Sequence, residues 1–188
     1  NWFMGDATGS YNGHTGLFKS GLSGVADLGV QTVTCDSGDD TFAEAIAKSV
    51  YYLGAMMAAL PLWAHRASPK WFGHSANFFK FLSVRDSQGM PVVANVLAGT
   101  SVPQLYLMGL PYVPVQVAPS ATAVSTPFLL LAALERACML FRHQAGIKFK
   151  TSDQVKFWEE LTVFKASAAQ DMVVKDGNGI VQLKTAAS

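Results

Sequence analysis

Catalysis needs side chains that attack, shuttle protons or hold a metal, and this sequence offers few of them at useful spacings. The close carboxylate pairs are Asp39/Asp40 and Glu159/Glu160. The second pair lies in a segment that alternates as a strand, where neighbours point to opposite faces and cannot act together. The first pair sits just ahead of a helix start, where carboxylates favour the free N–H groups of the first turn. Ser, His and Asp are all present, but no Gly-x-Ser-x-Gly elbow presents a nucleophile. His65 and His74 lack a third ligand at metal-type spacing. Cys35 and Cys138 are the only cysteines, far apart, and read as inert thiols rather than a disulfide or a zinc site. Gly5-Asp6-Ala7-Thr8-Gly9 is glycine-rich as phosphate loops are, yet no Gly-Lys-Ser/Thr follows it. The residues therefore name no catalytic side chain, no cofactor and no metal. What remains is a chain rich in aromatic, apolar and extended segments, as interaction proteins are.

The elements that would carry such surfaces can be read from pattern. The chain has 188 residues, 50% of them hydrophobic and 14% charged. An ordinary soluble domain carries roughly 25% charged residues, so part of this surface is expected to lie against partner subunits. No apolar run reaches the ~18–20 residues of a membrane-spanning helix. A net charge of +1 with scattered Lys and Arg makes no electrostatic case for nucleic-acid binding. Val30–Thr34 alternates as a strand, and Asp36-Ser37-Gly38-Asp39-Asp40 ends it. Thr41-Phe42-Ala43-Glu44 spells a capping box, and Phe42, Ile46, Val50, Leu53, Met57 and Leu60 then recur at helical spacing. One helix over 42–60, stopped by Pro61, is predicted. Pro69–Gly73 reads as a strand, and Ser75 as the cap of a shorter helix that carries Phe78, Phe79 and Leu82.

Gly109–Pro119 alternates too, with Val113, Val115 and Val117 opposed to Tyr112, Pro114, Gln116 and Ala118. Pro111, Pro114 and Pro119 have no N–H to give a ladder, so the stretch reads as an edge strand. Phe128–Leu134 and Ala137–Phe141 are buried strands or one short helix; period alone does not separate these. Gly146–Lys150 alternates as a strand, Thr151-Ser152-Asp153 breaks it, and Lys156–Ala166 forms a long two-faced strand suited to a protruding arm. Met172–Val174 and Ile180–Leu183 flank Asp176-Gly177-Asn178-Gly179 and read as a connected strand pair. Helices come early and strands late, without regular alternation. The class is α+β.

Five markers in order carry a resemblance. They are Gly5-Asp6-Ala7-Thr8-Gly9 with Gly16-Leu17, the capped helix with Pro69-Lys70-Trp71, the turn Arg85-Asp86-Ser87-Gln88-Gly89, the run Met108-Gly109-Leu110-Pro111-Tyr112-Val113, and the tail from Gly146 to Thr185. Together they resemble the C-terminal two-thirds of a tailed-phage major capsid protein of the Hong Kong 97 (HK97-like) fold. Ala7 departs from the usual middle Gly, Met90-Pro91 from an Arg-aromatic pair, and Ala169-Gln170 from a basic residue before Asp171.

The resemblance implies an axial (A) domain with its leading loop over residues 1–145, peripheral (P) domain strands over 146–174, and a C-terminal return strand over 175–188. The N-arm, E-loop and spine helix of the family lie outside this sequence, so a fragment or processed product that does not close shells by itself is expected. The implied function is a structural subunit, not an enzyme, that self-assembles into pentamers and hexamers enclosing double-stranded DNA. Its implied partners are copies of itself, a scaffolding protein, a maturation protease and a portal, with packaged DNA touched only non-specifically and no membrane. The implied location is the virion capsid, assembled in the bacterial host cytoplasm. On this reading the prolines of 109–119 protect a sheet edge from promiscuous pairing. An encapsulin-type nanocompartment shell shares the fold, and a small hydrolase or ligand-binding α+β domain is the alternative of another class.

Overall fold

The computed structural model describes residues 10–11, 14–15, 17–18, 29–85, 88–91, 94–97, 104–120, 123–156 and 161–187. The glycine-rich 5–9 marker, the loop expected at 98–103 and the pair Glu159/Glu160 lie outside the described residues. β1 (Ser10–Tyr11) and β2 (His14–Thr15) make a two-residue antiparallel ribbon. β3 (Gln31–Thr34) follows, and the capping box forms as the sequence spells it. Thr41 Oγ1 accepts from the Glu44 N–H at 3.3 Å, and Glu44 Oε2 accepts from the Thr41 N–H at 3.1 Å.

Behind that cap the single helix predicted over 42–60 is two. α1 (Phe42–Ala47) and α2 (Ser49–Ala59) part at Lys48, whose φ/ψ of −96°/20° is not helical. Lys48 Nζ reaches back 2.8 Å to Asp39 instead. The break turns Ser49, Tyr52, Leu53 and Met56 inward, while Val50 is left 49% exposed. α2 is apolar around most of its circumference, so spacing alone leaves the inward stripe undetermined. Pro61 ends α2 and at once begins a short α3 (Leu62–Arg66) that the pattern did not announce.

β4 (Lys70–Gly73) leads into α4 (Ser75–Leu82). The cap of α4 is His74, not Ser75: its Nδ1 accepts from the Ala76 N–H at 3.1 Å. Phe78 and Phe81 fill the core, whereas Phe79 is 61% exposed. The remaining elements are β5 (Ala94–Leu97), β6 (Gln104–Leu107), β7 (Leu110–Pro114), β8 (Pro127–Ala132), α5 (Leu134–Ala137), β9 (Cys138–Lys156), β10 (Leu161–Val174) and β11 (Ile180–Lys184).

Seven strands form one mixed sheet in the order β3-β11-β8-β4-β7-β6-β5. Both faces are covered, so β8 is buried at every position rather than alternating. On one face α1, α2 and α4 bury Phe42, Leu53, Met56 and Phe78 against Trp71, Leu129, Leu131, Val181 and Leu183. On the other, Leu17, Phe18, Val30, Val115 and Ala118 cover Phe72, Leu130 and Ile180. Gln182 falls on that second face by alternation, and its Nε2 donates to the Leu17 carbonyl.

The proline-laden stretch is not an edge. β7 pairs in parallel with β4 and antiparallel with β6, which places it inside the sheet. The prolines fit because the pairing on each side is brief. Tyr106–Pro111 is the last pair with β6. On the other side the Val115 N–H donates to Gly73 at 2.8 Å. Successive N–H groups alternate sides along a strand, so the nitrogen of Pro114 faces away from β4, beyond the end of the β6 pairing, where no donor is required. The β6–β7 hairpin turns on Met108 and Gly109, with φ of 49° and 77°. Two left-handed residues give the tight turn whose twist matches antiparallel strands, and Gly109 takes that conformation without strain.

Two further expectations change. Asp176–Gly179 does not close a strand pair: a 3-10 turn at Gly177–Gly179 carries the chain from β10 to β11, which inserts between β3 and β8. β9 also runs unbroken through Thr151-Ser152-Asp153.

Candidate interaction surface

The side chains with chemical potential sit in structural roles. His65 Nε2 lies 2.9 Å from the Met57 carbonyl, and His74 is spent on its helix cap. Burial, first of all, pushes the Cys35 thiol up to about 12 and the Cys138 thiol up to about 11, so both are poor nucleophiles at neutral pH. Both are free thiols. Asp39 is buried; it accepts from Lys48 Nζ and from the Tyr52 hydroxyl, and these two bonds hold its carboxyl below the usual carboxylate range. The Tyr52 oxygen in turn accepts from the Asp36 N–H at 3.0 Å. This network ties α2 to the end of β3. No group of three or more metal-ligating side chains comes together among the described residues, and no described helix is long and apolar enough to cross a membrane.

The unusual surface is the β9–β10 hairpin. Its two strands, of 19 and 14 residues, pair only with each other. At its base the Ala137 carbonyl accepts from the N–H groups of Lys175 and Asp176, so both ends of the hairpin hang from α5. The register then sorts the side chains. Opposite partners in an antiparallel pair share a face, and the face alternates along the strand. Phe149 pairs with Ala166 and Thr151 with Phe164, which puts both phenylalanines on one face. They are 75% and 76% exposed. Lys150 pairs with Lys165 and Lys148 with Ser167, which gathers three exposed lysines on the other face. Met139, Leu140, Phe141 and Val173 near the base are exposed as well, so of the buried segment expected at 137–141 only Ala137, which belongs to α5, is fully buried.

The sequence placed a protruding arm here, but as one long strand over Lys156–Ala166. Instead Lys156 pairs antiparallel with Leu161, so the chain reverses within that stretch and the arm is a hairpin of β9 and β10. The sequence did not reveal the lysine face, since Lys165 joins Lys148 and Lys150 only through the cross-strand register. A signal was present in the Lys-Phe-Lys triplet at 148–150, which fixes opposite chemistry for the two sides of any strand.

A sheet-and-helix body carrying a long ribbon with solvent-facing aromatics has the surface of an interaction protein rather than the pocket of an enzyme site. The profile of the phage capsid family matches residues 3–185, and the chain belongs to that family. Its fold is the HK97-like α+β capsid fold, and membership places it among the structural proteins of the virion capsid. The capsid protein of an empty GTA particle superposes with a TM-score of 0.68 at 18% identity, over 99% of this chain and 60% of that one. A protein of Gordonia phage Cozz gives 0.53 at 17%, over 93% and 55%. The SrpI encapsulin of Synechococcus elongatus PCC 7942 gives 0.53 at 13%, over 82% and 52%. The chain thus spans less than two-thirds of the length of these structures. A search of curated proteins found no match.

Proposed function

We propose that the protein containing this chain is a shell subunit that assembles from copies of itself into pentamers and hexamers around double-stranded DNA. In this reading residues 1–145 form the axial domain gathered near the five- and six-fold axes. Residues 146–174 form the peripheral domain that meets neighbouring capsomers, and 175–188 return into the sheet. A scaffolding protein, a maturation protease and a portal are its further partners, and assembly takes place in the bacterial host cytoplasm. A tiled shell needs many contacts of moderate area and no catalytic centre.

The observation that carries the reading is the apolar face of the hairpin. Two phenylalanines about three-quarters exposed, on a ribbon that pairs only with itself, are poor design for a solitary protein and good design for one that docks. The experiment is to express the complete chain with Phe149→Ser and Phe164→Ser together. Subunits are expected to stay folded by circular dichroism while closed particles seen by electron microscopy fall by at least about tenfold, as loss of buried aromatic anchors does at interfaces. Undiminished shells would refute the reading.

A further inference from the structure

The two faces of the hairpin differ in chemistry, and the lysine face calls for a partner of its own. Lys150 and Lys165 stand directly opposite each other, with Lys148 diagonal to Lys165 on the same face. Directly opposed side chains are about 5 Å apart at Cβ and diagonal ones about 7 Å, and like charges at such separations destabilise a ribbon. Among the described residues no carboxylate forms an ion pair with any of the three. The hairpin therefore holds repulsion that an anionic surface would relieve.

The same chain carries the complementary surface. Asp36, Asp39, Asp40 and Glu44 crowd the corner between β3 and α1, and the cation paired with them is Lys48, engaged by Asp39. Asp36 and Glu44 are exposed and Asp40 is half-buried. This corner lies at the opposite end of the sheet from the hairpin base. β11 leaves the base at Ile180 and runs parallel to β3, so Thr34, at the end of β3, marks the far end. A basic arm at one end and an acidic corner at the other cannot satisfy each other within one copy, but they fit head to tail between copies. Unlike surfaces meeting this way generate a ring when the rotation between copies closes and an open filament when it does not.

We infer that the lysine face of Lys148, Lys150 and Lys165 docks on the Asp36–Asp40–Glu44 corner of a second copy. This rests on the reading of the hairpin as a contact between subunits and adds which surface it meets. Charge complementarity of this kind sets register and suppresses wrong pairings more than it adds raw affinity. A nucleic acid is the lesser candidate, because the basic cluster is three residues wide while the acidic match is present on every copy.

The test uses the complete chain in assembled shells. A zero-length carbodiimide treatment of unaltered particles, mapped by mass spectrometry, is expected to join Lys148, Lys150 or Lys165 to Asp36, Asp40 or Glu44 of another copy. Separately, K148E/K150E/K165E and D36K/D40K/E44K are each expected to lower closed-shell yield by about tenfold or more, and the combined variant to restore most of it. Cross-links that map elsewhere, or a combined variant no better than its parts, would overturn the inference. So would shells that form normally from the lysine variant while retaining less nucleic acid. If the phenylalanine pair remains essential while the charge swaps are silent, the lysine inference alone fails. If both sets are silent, the reading of the hairpin as a contact fails with it.

Discussion

At the scale of single residues, the most consequential group is the buried pair Asp39 and Tyr52 with the exposed Lys48 that caps it. Tyr52 is fully buried, donates to Asp39 and accepts from the Asp36 N–H. Tyr52→Phe removes both bonds and leaves a backbone N–H without its partner, which is expected to cost about 1–3 kcal/mol in denaturant unfolding. The trio also sets a pH dependence. Lys48 first and Tyr52 second hold the Asp39 carboxyl below its ordinary value. A depressed folded-state pKa contributes stability that is full above the unfolded value, roughly 4, and is lost as pH falls through the folded value. Melting curves of Asp39→Asn should therefore lie below wild type at pH 7 and converge with it on acidification below about pH 4. A constant gap across that window would mean that the carboxylate charge is not what the network uses. Ser49 is the opposite case. It is fully buried and its Oγ has no hydrogen-bond partner. Ser49→Ala removes a desolvated hydroxyl from a helix start and should raise stability by about 1 kcal/mol, or at worst leave it unchanged.

At the scale of elements, what the sequence disclosed was what short-range physics decides. The capping box at Thr41–Glu44, the strand read at Val30–Thr34 and found at Gln31–Thr34, and the stop at Pro61 all follow from neighbours within four residues, whereas the single strand read over Lys156–Ala166 is broken by the reversal that pairs Lys156 with Leu161. What it withheld depends on partners far along the chain. That β7 lies inside the sheet follows from β4 and β6 flanking it, and the lysine face from β10 folding back on β9 in one register. The division at Lys48 was hidden because α2 is apolar all round. The idea that prolines guard an edge loses its premise accordingly. With β7 inside the sheet and only the short stretch past Pro111 left unpaired on the β6 side, Pro114→Val should leave light scattering during refolding unchanged, and a rise in aggregation would revive edge protection for that stretch. A sharper element-level test is Gly179, where the 3-10 turn passes under α3. An added methyl there would sit 2.5 Å from the Trp63 ring and 3.1 Å from the Ala137 Cβ. Neither can step aside easily, so Gly179→Ala should destabilise by about 1–3 kcal/mol, as overpacking does.

At the scale of the whole molecule, the chain divides by stability rather than by sequence composition. The seven-stranded body buries β8 and β11 between two apolar layers, so their amides open only with global unfolding. The β9–β10 ribbon pairs only with itself, and two-stranded ribbons are marginal in water when nothing covers a face. An isolated chain should thus exchange the amides of 148–151 and 164–167 orders of magnitude faster than those of 128–131 and 181–183. In particles assembled from the complete protein, the ribbon amides should slow toward the body values, because docking both faces adds to the ribbon the binding free energy that its own pairing lacks. The comparison isolates the cause. Slow ribbon exchange in the free chain would mean that the hairpin is stable alone and its exposed phenylalanines need no neighbour. Fast exchange that persists in the shell would mean that the contacts between subunits lie elsewhere. Protection appearing only on assembly would tie the marginal ribbon to the shell, with the closed body supplying the rigid frame from which it reaches its neighbour.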